Sequence, residues 1–413
     1  MKRAPDRQHC LELDRSDPLA ATRSAFELPA DVIYLDGNSL GAAPRAVQRR
    51  LQSLIRQEWG EGLIRSWNEA DWFTMPTRVG EKLAPLLGAG PGQVVAADST
   101  SINLYKALVA ALRLRPDRHR VIGDAANFPT DLYLLQAACQ AVGGRSLERL
   151  DAEDIAAAID GDTAVVALSH VDYRSGQLHD MATISAAAHA AGALVVWDLA
   201  HSAGALALAL DEDGADFAVG CGYKFLNGGP GAPAFLYVAL RHQGGIEPVL
   251  PGWMGHANPF AFAPDYQPAP GIARNLCGTP PILSLAALEA ALEIWAEVDL
   301  AALRHKSQAL GQLLIDRVEA ICAGHDLALA SPRDPDQRGS QVSFHHPQGY
   351  ALVQALIGRG VIGDFRDPDI MRFGLAPLYL RYVDVWDAAG HLAEILESGE
   401  WRQDSFRARR TVT

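Results

Sequence analysis

Between about residue 45 and residue 285 the chain alternates short apolar runs with Ala/Leu-rich stretches of helical period, and this alternation narrows the fold more than any other feature. Val165–Ser169, Ala193–Asp198, Phe217–Gly222 and Ala234–Val238 read as buried strands, and Met181–Ala191 reads as a helix stopped by Gly192. Continuous apolar strands separated by helices predict an α/β fold, a largely parallel sheet covered on both faces. In such sheets ligands gather at the carboxyl ends of strands, where Ser169, Asp198 and Lys224 fall.

The pattern changes after Pro280-Pro281. Leu285, Leu288, Leu292 and Trp295 share one helical face, and Asp299 caps a second helix carrying Leu303, Leu310, Leu314 and Val318. Ser331–Asp336 reads as a loop, Gln341–Phe344 as strand, Tyr350–Ile357 as helix and Val361–Leu375 as further strand. The expected division is an N-terminal segment 1–45 packing with the small domain, a large domain 46–285 and a smaller α/β domain 286–413. The polar tail Arg402–Thr413 is expected to fray.

A length of 413 residues suits two domains, and 49% hydrophobic with 21% charged residues is an ordinary folded composition. The net charge of −13 argues against a nucleic-acid partner. The start Met1–Asp6 lacks the apolar region of a signal peptide, and no apolar run reaches membrane-spanning length. Five cysteines, odd in number and without metal-ligand spacing, fit a reducing cytoplasm and no metal site.

One lysine, Lys224, follows the apolar strand at 217–222 and precedes a turn rich in glycine (228, 229, 231). A lysine so placed is the residue type that bonds covalently to an aldehyde. Asp198 ends the preceding strand and can face a pyridinium nitrogen. Together they meet the needs of pyridoxal 5'-phosphate (PLP). Tyr223 and Lys224 serve one site only if the strand ends before them, because neighbouring strand residues face opposite ways.

Other segments carry two readings each. Thr100-Ser101 before an Ala/Leu-rich helix is either an ordinary cap or a phosphate cradle. Phe128-Pro129-Thr130-Asp131 is either a helix start or a ring-stacking turn with a carboxylate at the ring's polar edge. His201 is either inert or a hydrogen-bond partner near the cofactor. Trp253 and Thr279 each offer one donor from a loop, and Trp253 taken alone reads more readily as a packing residue. Arg372, within an apolar strand, is either a clamp on a substrate carboxylate or half of an internal salt bridge.

Taken together, these residues resemble the kynureninase family of fold-type-I PLP enzymes. The resemblance runs through Tyr34–Gly41, Phe128–Asp131, Asp198–His201, Tyr223–Asn227, Gly252–His256, Thr279–Leu283, Arg372 and Ala376–Tyr379, nearly the whole chain. It implies a large domain with a mostly parallel seven-stranded sheet and a smaller C-terminal α/β domain. It also implies hydrolysis of L-kynurenine to anthranilate and L-alanine in tryptophan catabolism. Lys224 would tether PLP and remove the Cα proton, Asp198 would sustain the pyridinium, and Tyr223 would assist proton transfer. Thr100, Ser101, Tyr223, Trp253 and Thr279 would surround the phosphate. Phe128 would stack on the ring, with Pro129, Thr130, Asp131, Ser169 and His201 completing the cofactor site. Arg372 would grip the substrate carboxylate, with Trp67, Asn38 and Ser39 nearby. The resemblance further implies a homodimer whose sites form between subunits. Thr279 stands where animal relatives carry Asn, and with Trp67-Asn68 it is compatible with a preference for kynurenine over 3-hydroxykynurenine. Competing readings are a cysteine desulfurase, an aminotransferase and a catalytically silent scaffold. A nicotinamide enzyme is set aside for want of a Gly-x-Gly-x-x-Gly turn.

Overall fold

The computed structural model describes residues 6–409, so Met1–Pro5 and the end of the expected fraying tail, 410–413, lie outside the described residues. The chain forms two compact units. One contains Ala46–Asp172 and His179–Glu293; the other contains the chain through Arg45, the segment Tyr173–Leu178 and everything from Ile294.

The first unit is built on seven strands in the order Val94–Ala96, Ala234–Val238, Phe217–Cys221, Leu194–Asp198, Thr163–Ser169, Arg120–Asp124, Ser146–Leu150. Ala234–Val238 runs antiparallel to both of its neighbours, so the other six strands share one direction. The central strands are buried along their whole length, which is why they read as unbroken apolar runs. Helices Thr100–Arg113 and Pro129–Val142 pack on the sheet through Leu104, Leu108, Leu135 and Ala138. The second of these helices starts at Pro129, so Asp131 lies in its first turn. Proline at the first helical position loses no hydrogen bond there and favours this start.

The expected boundary at 285/286 cuts through helix Ile282–Ala291, which stays in this unit. Arg78 and Lys82 reach its Glu289 at 2.8 and 3.0 Å and fasten it to helix Met75–Leu83.

The other unit holds a four-stranded antiparallel sheet in the order Ala328–Leu329, Gln341–His345, Ile370–Gly374, Asp364–Arg366. Helix Leu300–Ile321 is capped by Asp299, which accepts from the Ala301 amide at 2.8 Å. The stretch expected as strand from Val361 to Leu375 is three short strands. Val361–Ile362 pairs in parallel with Ile33–Tyr34, and the last two form a hairpin turning through Asp367-Pro368. The expected fraying from Arg402 is overturned as far as Arg409. Asp404–Arg407 is helical, the Ala408 carbonyl accepts from the Tyr350 hydroxyl at 3.1 Å, and Arg409 lies 4.4 Å from that ring's centre. Among the described residues no helix is long and apolar enough to cross a membrane.

Candidate active site

Strand Phe217–Cys221 ends one residue before Gly222, whose amide donates to the Pro233 carbonyl at 3.2 Å. A Cβ at Gly222 would lie 2.6 Å from that same oxygen, so the turn admits only glycine. Beyond it the backbone is irregular, which frees Tyr223 and Lys224 from strand alternation. Asn227, at φ +58, bonds the Phe225 carbonyl through its side chain at 2.7 Å and closes the turn. Lys224 Nζ sits 3.0 Å from His201 Nε2 and 6.0 Å from the centre of the Tyr223 ring. Burial raises the Tyr223 phenol above its ordinary range, helped by Cys221 and Asp198, so it holds its proton.

Asp198 is buried at the end of its strand and accepts from the Ala200 amide at 2.6 Å. Burial raises its pKa above the ordinary value, and Lys224 with the hydrogen bonds from Ala200 and Asp131 offsets only part of that rise. Asp131 is pushed well above the ordinary carboxylate range, first by burial and then by Asp198. Of the two acids, Asp131 therefore keeps the proton and Asp198 carries the charge. Ser169 Oγ lies 2.6 Å from Asn127 Oδ1 and 3.3 Å from Asp131 Oδ2. Asn127 also accepts from the Phe128 amide at 2.8 Å, and the Phe128 ring is 45% exposed. Pro129 and Thr130 shape the first helical turn, and their side chains donate nothing to these groups.

Ser99, not Thr100 or Ser101, caps helix Thr100–Arg113, accepting from the Ile102 amide at 3.4 Å. The hydroxyls of Thr100 and Ser101 are thus not spent on capping, and their amides have no partner within the helix. Asp98, at φ +51, turns the chain there and pairs with buried Lys106 at 2.5 Å. Because six strands share one direction, the Thr100 turn, Asn127–Asp131, Ser169, Asp198 and Lys224 all follow carboxyl ends at one sheet edge.

Trp253 and Thr279 are not hydrogen-bonded to that group. Trp253 packs edge-on against Trp67 at 6.3 Å and beside Phe73 and Phe260, whereas Thr279 is exposed.

Arg372, Asn38 and Ser39 belong to the other unit. Arg372 is 2% exposed and grips Asp364, its opposite neighbour in the hairpin, with two nitrogens. The internal salt bridge is therefore made. Ser39 Oγ donates to Asp364 at 2.6 Å, and Asn38 is fully buried against Gly374. Burial pushes Asp36 up to about 7, aided by the charge of Asp364. Asp364 itself is held low: burial opposes its charge, and Arg372 with Arg366 overcomes that.

Sequence reasoning missed Asn127, Asp364 and Arg366. The Asp367-Pro368 turn was the available signal for the last two, since it folds their strand back on Arg372.

The fit to PLP rests on the donor set at the sheet edge: an amine, a buried carboxyl and two uncapped amides with hydroxyls beside them. Comparisons with known proteins agree. A family model described as the kynureninase C-terminal domain matches residues 303–392. The kynureninases of Burkholderia pseudomallei and Pseudomonas fluorescens are each 52% identical over 98% of this chain and 99% of their own. Among solved structures, the Escherichia coli cysteine desulfurase CsdA superposes with TM-score 0.77 at 22% identity, covering 92% of this chain and 98% of its own. The cystine C-S lyase C-DES, solved as a lysine-to-alanine mutant with glycine covalently linked to its PLP cofactor, gives TM-score 0.76 at 20% identity over 94% of this chain and 99% of its own. Such identities speak for the fold, whereas the full-length matches speak for more: the chain belongs to the kynureninase family.

Proposed function

We propose that the protein hydrolyses L-kynurenine to anthranilate and L-alanine with PLP. The observation that carries this reading is the Lys224 amine and the buried Asp198 carboxyl at one sheet edge, in a chain 52% identical to kynureninases throughout. When bound, PLP supplies an electron sink for charge developing at the substrate's α-carbon.

Lys224 is the covalent tether and then the base that takes the Cα proton, with His201 orienting its Nζ. Asp198 holds a proton at the ring nitrogen, and protonated Asp131 keeps Asp198 ionised. Thr100 and Ser101 bind phosphate oxygens, Phe128 covers one face of the ring, and Ser169 holds the Asn127–Asp131 turn in place. Water adds to the ketone carbon and gives up a proton; the Cβ–Cγ bond then breaks, the ketone carbon leaving as the carboxyl of anthranilate. Tyr223, still protonated, delivers its proton to Cβ as that bond breaks and regains one from the proton the water gave up, and Lys224 returns the proton to Cα to complete L-alanine. Arg372 anchors the substrate α-carboxylate, with Asn38, Ser39 and Trp67 about the substrate. The protein acts as a cytoplasmic homodimer in which Trp253 and Thr279 complete the partner's phosphate site.

The rival desulfurase chemistry needs a mobile nucleophilic cysteine. Cys322, the late candidate, is 3% exposed at a helix end, and burial lifts its thiol to about 11.

Incubating the PLP-loaded protein with L-kynurenine should release anthranilate and alanine in equal amounts, and Lys224→Ala should release neither. No anthranilate from a folded, yellow protein would end the proposal. Conversion of the bound cofactor to its amine form would indicate an aminotransferase. Comparing kcat/KM for kynurenine and 3-hydroxykynurenine tests the expected preference for the former.

A further inference from the structure

The donors of Arg372 are almost fully committed. Nε donates to Asp364 Oδ1 at 2.7 Å, and Nη2 donates to Asp364 Oδ2 and, at 3.0 Å, to Ser39 Oγ. Nη1 donates to the Tyr173 carbonyl at 2.6 Å. A guanidinium carries five N–H groups, so one is left, on Nη1. A lone N–H cannot form the two parallel bonds by which arginine fixes a carboxylate.

A second cation shares the same anchor. Arg366 Nη2 lies 2.8 Å from Asp364 Oδ2, and its Nη1 donates to the Phe365 carbonyl at 2.9 Å. Its side chain is 33% exposed, against 2% for Arg372. The other charged or titratable groups acting on Arg366 are Asp36 and Tyr173. Asp36 is raised to about 7 and at neutral pH carries only part of a charge. Two arginines thus face one fully ionised carboxylate, and the cluster keeps a positive surplus that a further anion would neutralise.

We infer that Arg366 is a second, specificity-determining contact for the substrate α-carboxylate, and that Asp364 is a positioning residue that turns Arg372 so that one N–H is offered beside it. This rests on the reading of Arg372 as the carboxylate anchor.

The test compares kcat/KM on L-kynurenine and on its neutral α-carboxamide, using the holoenzyme and its Arg372→Met, Arg366→Met and Arg366→Lys variants. The wild type should favour the carboxylate. Each methionine variant should cut that preference roughly tenfold or more, mainly through KM. Lysine keeps the charge without the planar fork and should fall between. If Arg372→Met keeps the full preference, the anchor reading itself fails. If Arg372→Met loses it and Arg366→Met does not, only the present inference is overturned. Should Arg366→Met fail to fold, Arg366→Lys decides: a wild-type preference overturns the inference, and a loss of threefold or more supports it.

Discussion

At the scale of single residues, two pairs of acids each divide one proton unequally, and each division decides what a neighbour can do. Asp131 holds its proton so that Asp198 stays charged. Asp198→Asn removes the charge while keeping the shape, so kcat should fall at least about a hundredfold with KM changed far less. Steady-state kinetics on the PLP-loaded variant checks this, and an unchanged kcat would deny Asp198 its role. In the second pair Asp364 carries the charge and Asp36 is raised from 3.8 to about 7. In the unfolded chain Asp36 ionises near its ordinary value, while the folded chain still holds the proton. Stability is therefore undiminished below pH 3.8 and declines as pH rises toward 7. Asp36→Asn cannot ionise, so its Tm should match wild type near pH 4 and exceed it by at least about 2 °C at pH 8. Equal Tm values at pH 8 would show that Asp36 ionises without hindrance. The same titration should raise KM for L-kynurenine above pH about 7 in wild type and not in the variant, because ionised Asp36 cancels the arginine surplus.

At the scale of elements, the site depends on strands stopping at the right residue. Gly222 is where this is tightest: Gly222→Ala sets a methyl 2.6 Å from the Pro233 carbonyl, and the backbone must give way. A loss of about 1–3 kcal/mol in urea unfolding is expected, together with weaker PLP retention; unchanged values for both would show that the turn tolerates a side chain. The sequence made this edge legible because strands buried on both faces leave unmistakable apolar runs, and the residues just after them are candidates by position alone. Helix Met181–Ala191 and strand Ala234–Val238 were readable to the residue for related reasons, a capping Asp180 and a Gly192 stop in one case and five apolar residues in the other. What escaped were pairings that depend on a partner far along the chain. Val361–Ile362 leaves the hairpin to join Ile33–Tyr34, and Asp364 faces Arg372 only because the intervening turn reverses the strand. The irregular helix Leu54–Gly62 also left no periodic signal, since its turns are wider than 3.6 residues.

At the scale of the whole molecule, one surface is hard to reconcile with a chain acting alone. Phe260 is 65% exposed, Phe262 85% and Trp253 37%, and these rings touch one another and Phe73 in a continuous aromatic cluster. Exposed apolar surface of this kind marks a place of association. Trp253 and Thr279 reach none of the groups around Lys224 by hydrogen bonds within the chain, although the proposed reading gives both a place at the phosphate. A second copy that buries the aromatic cluster would resolve both facts, bringing each Trp253 and Thr279 to the other subunit's site. Complementation separates this arrangement from one in which they act within their own chain. The Lys224→Ala protein and a Trp253→Ala/Thr279→Ala protein, each inactive or nearly so, are unfolded together and refolded as a mixture. If the loops act across the interface, every mixed dimer holds one site with both Lys224 and an intact partner loop, and random pairing should restore about a quarter of wild-type activity. If they act within the chain, each site in the mixed dimer lacks one requirement, and the mixture should be no more active than its components.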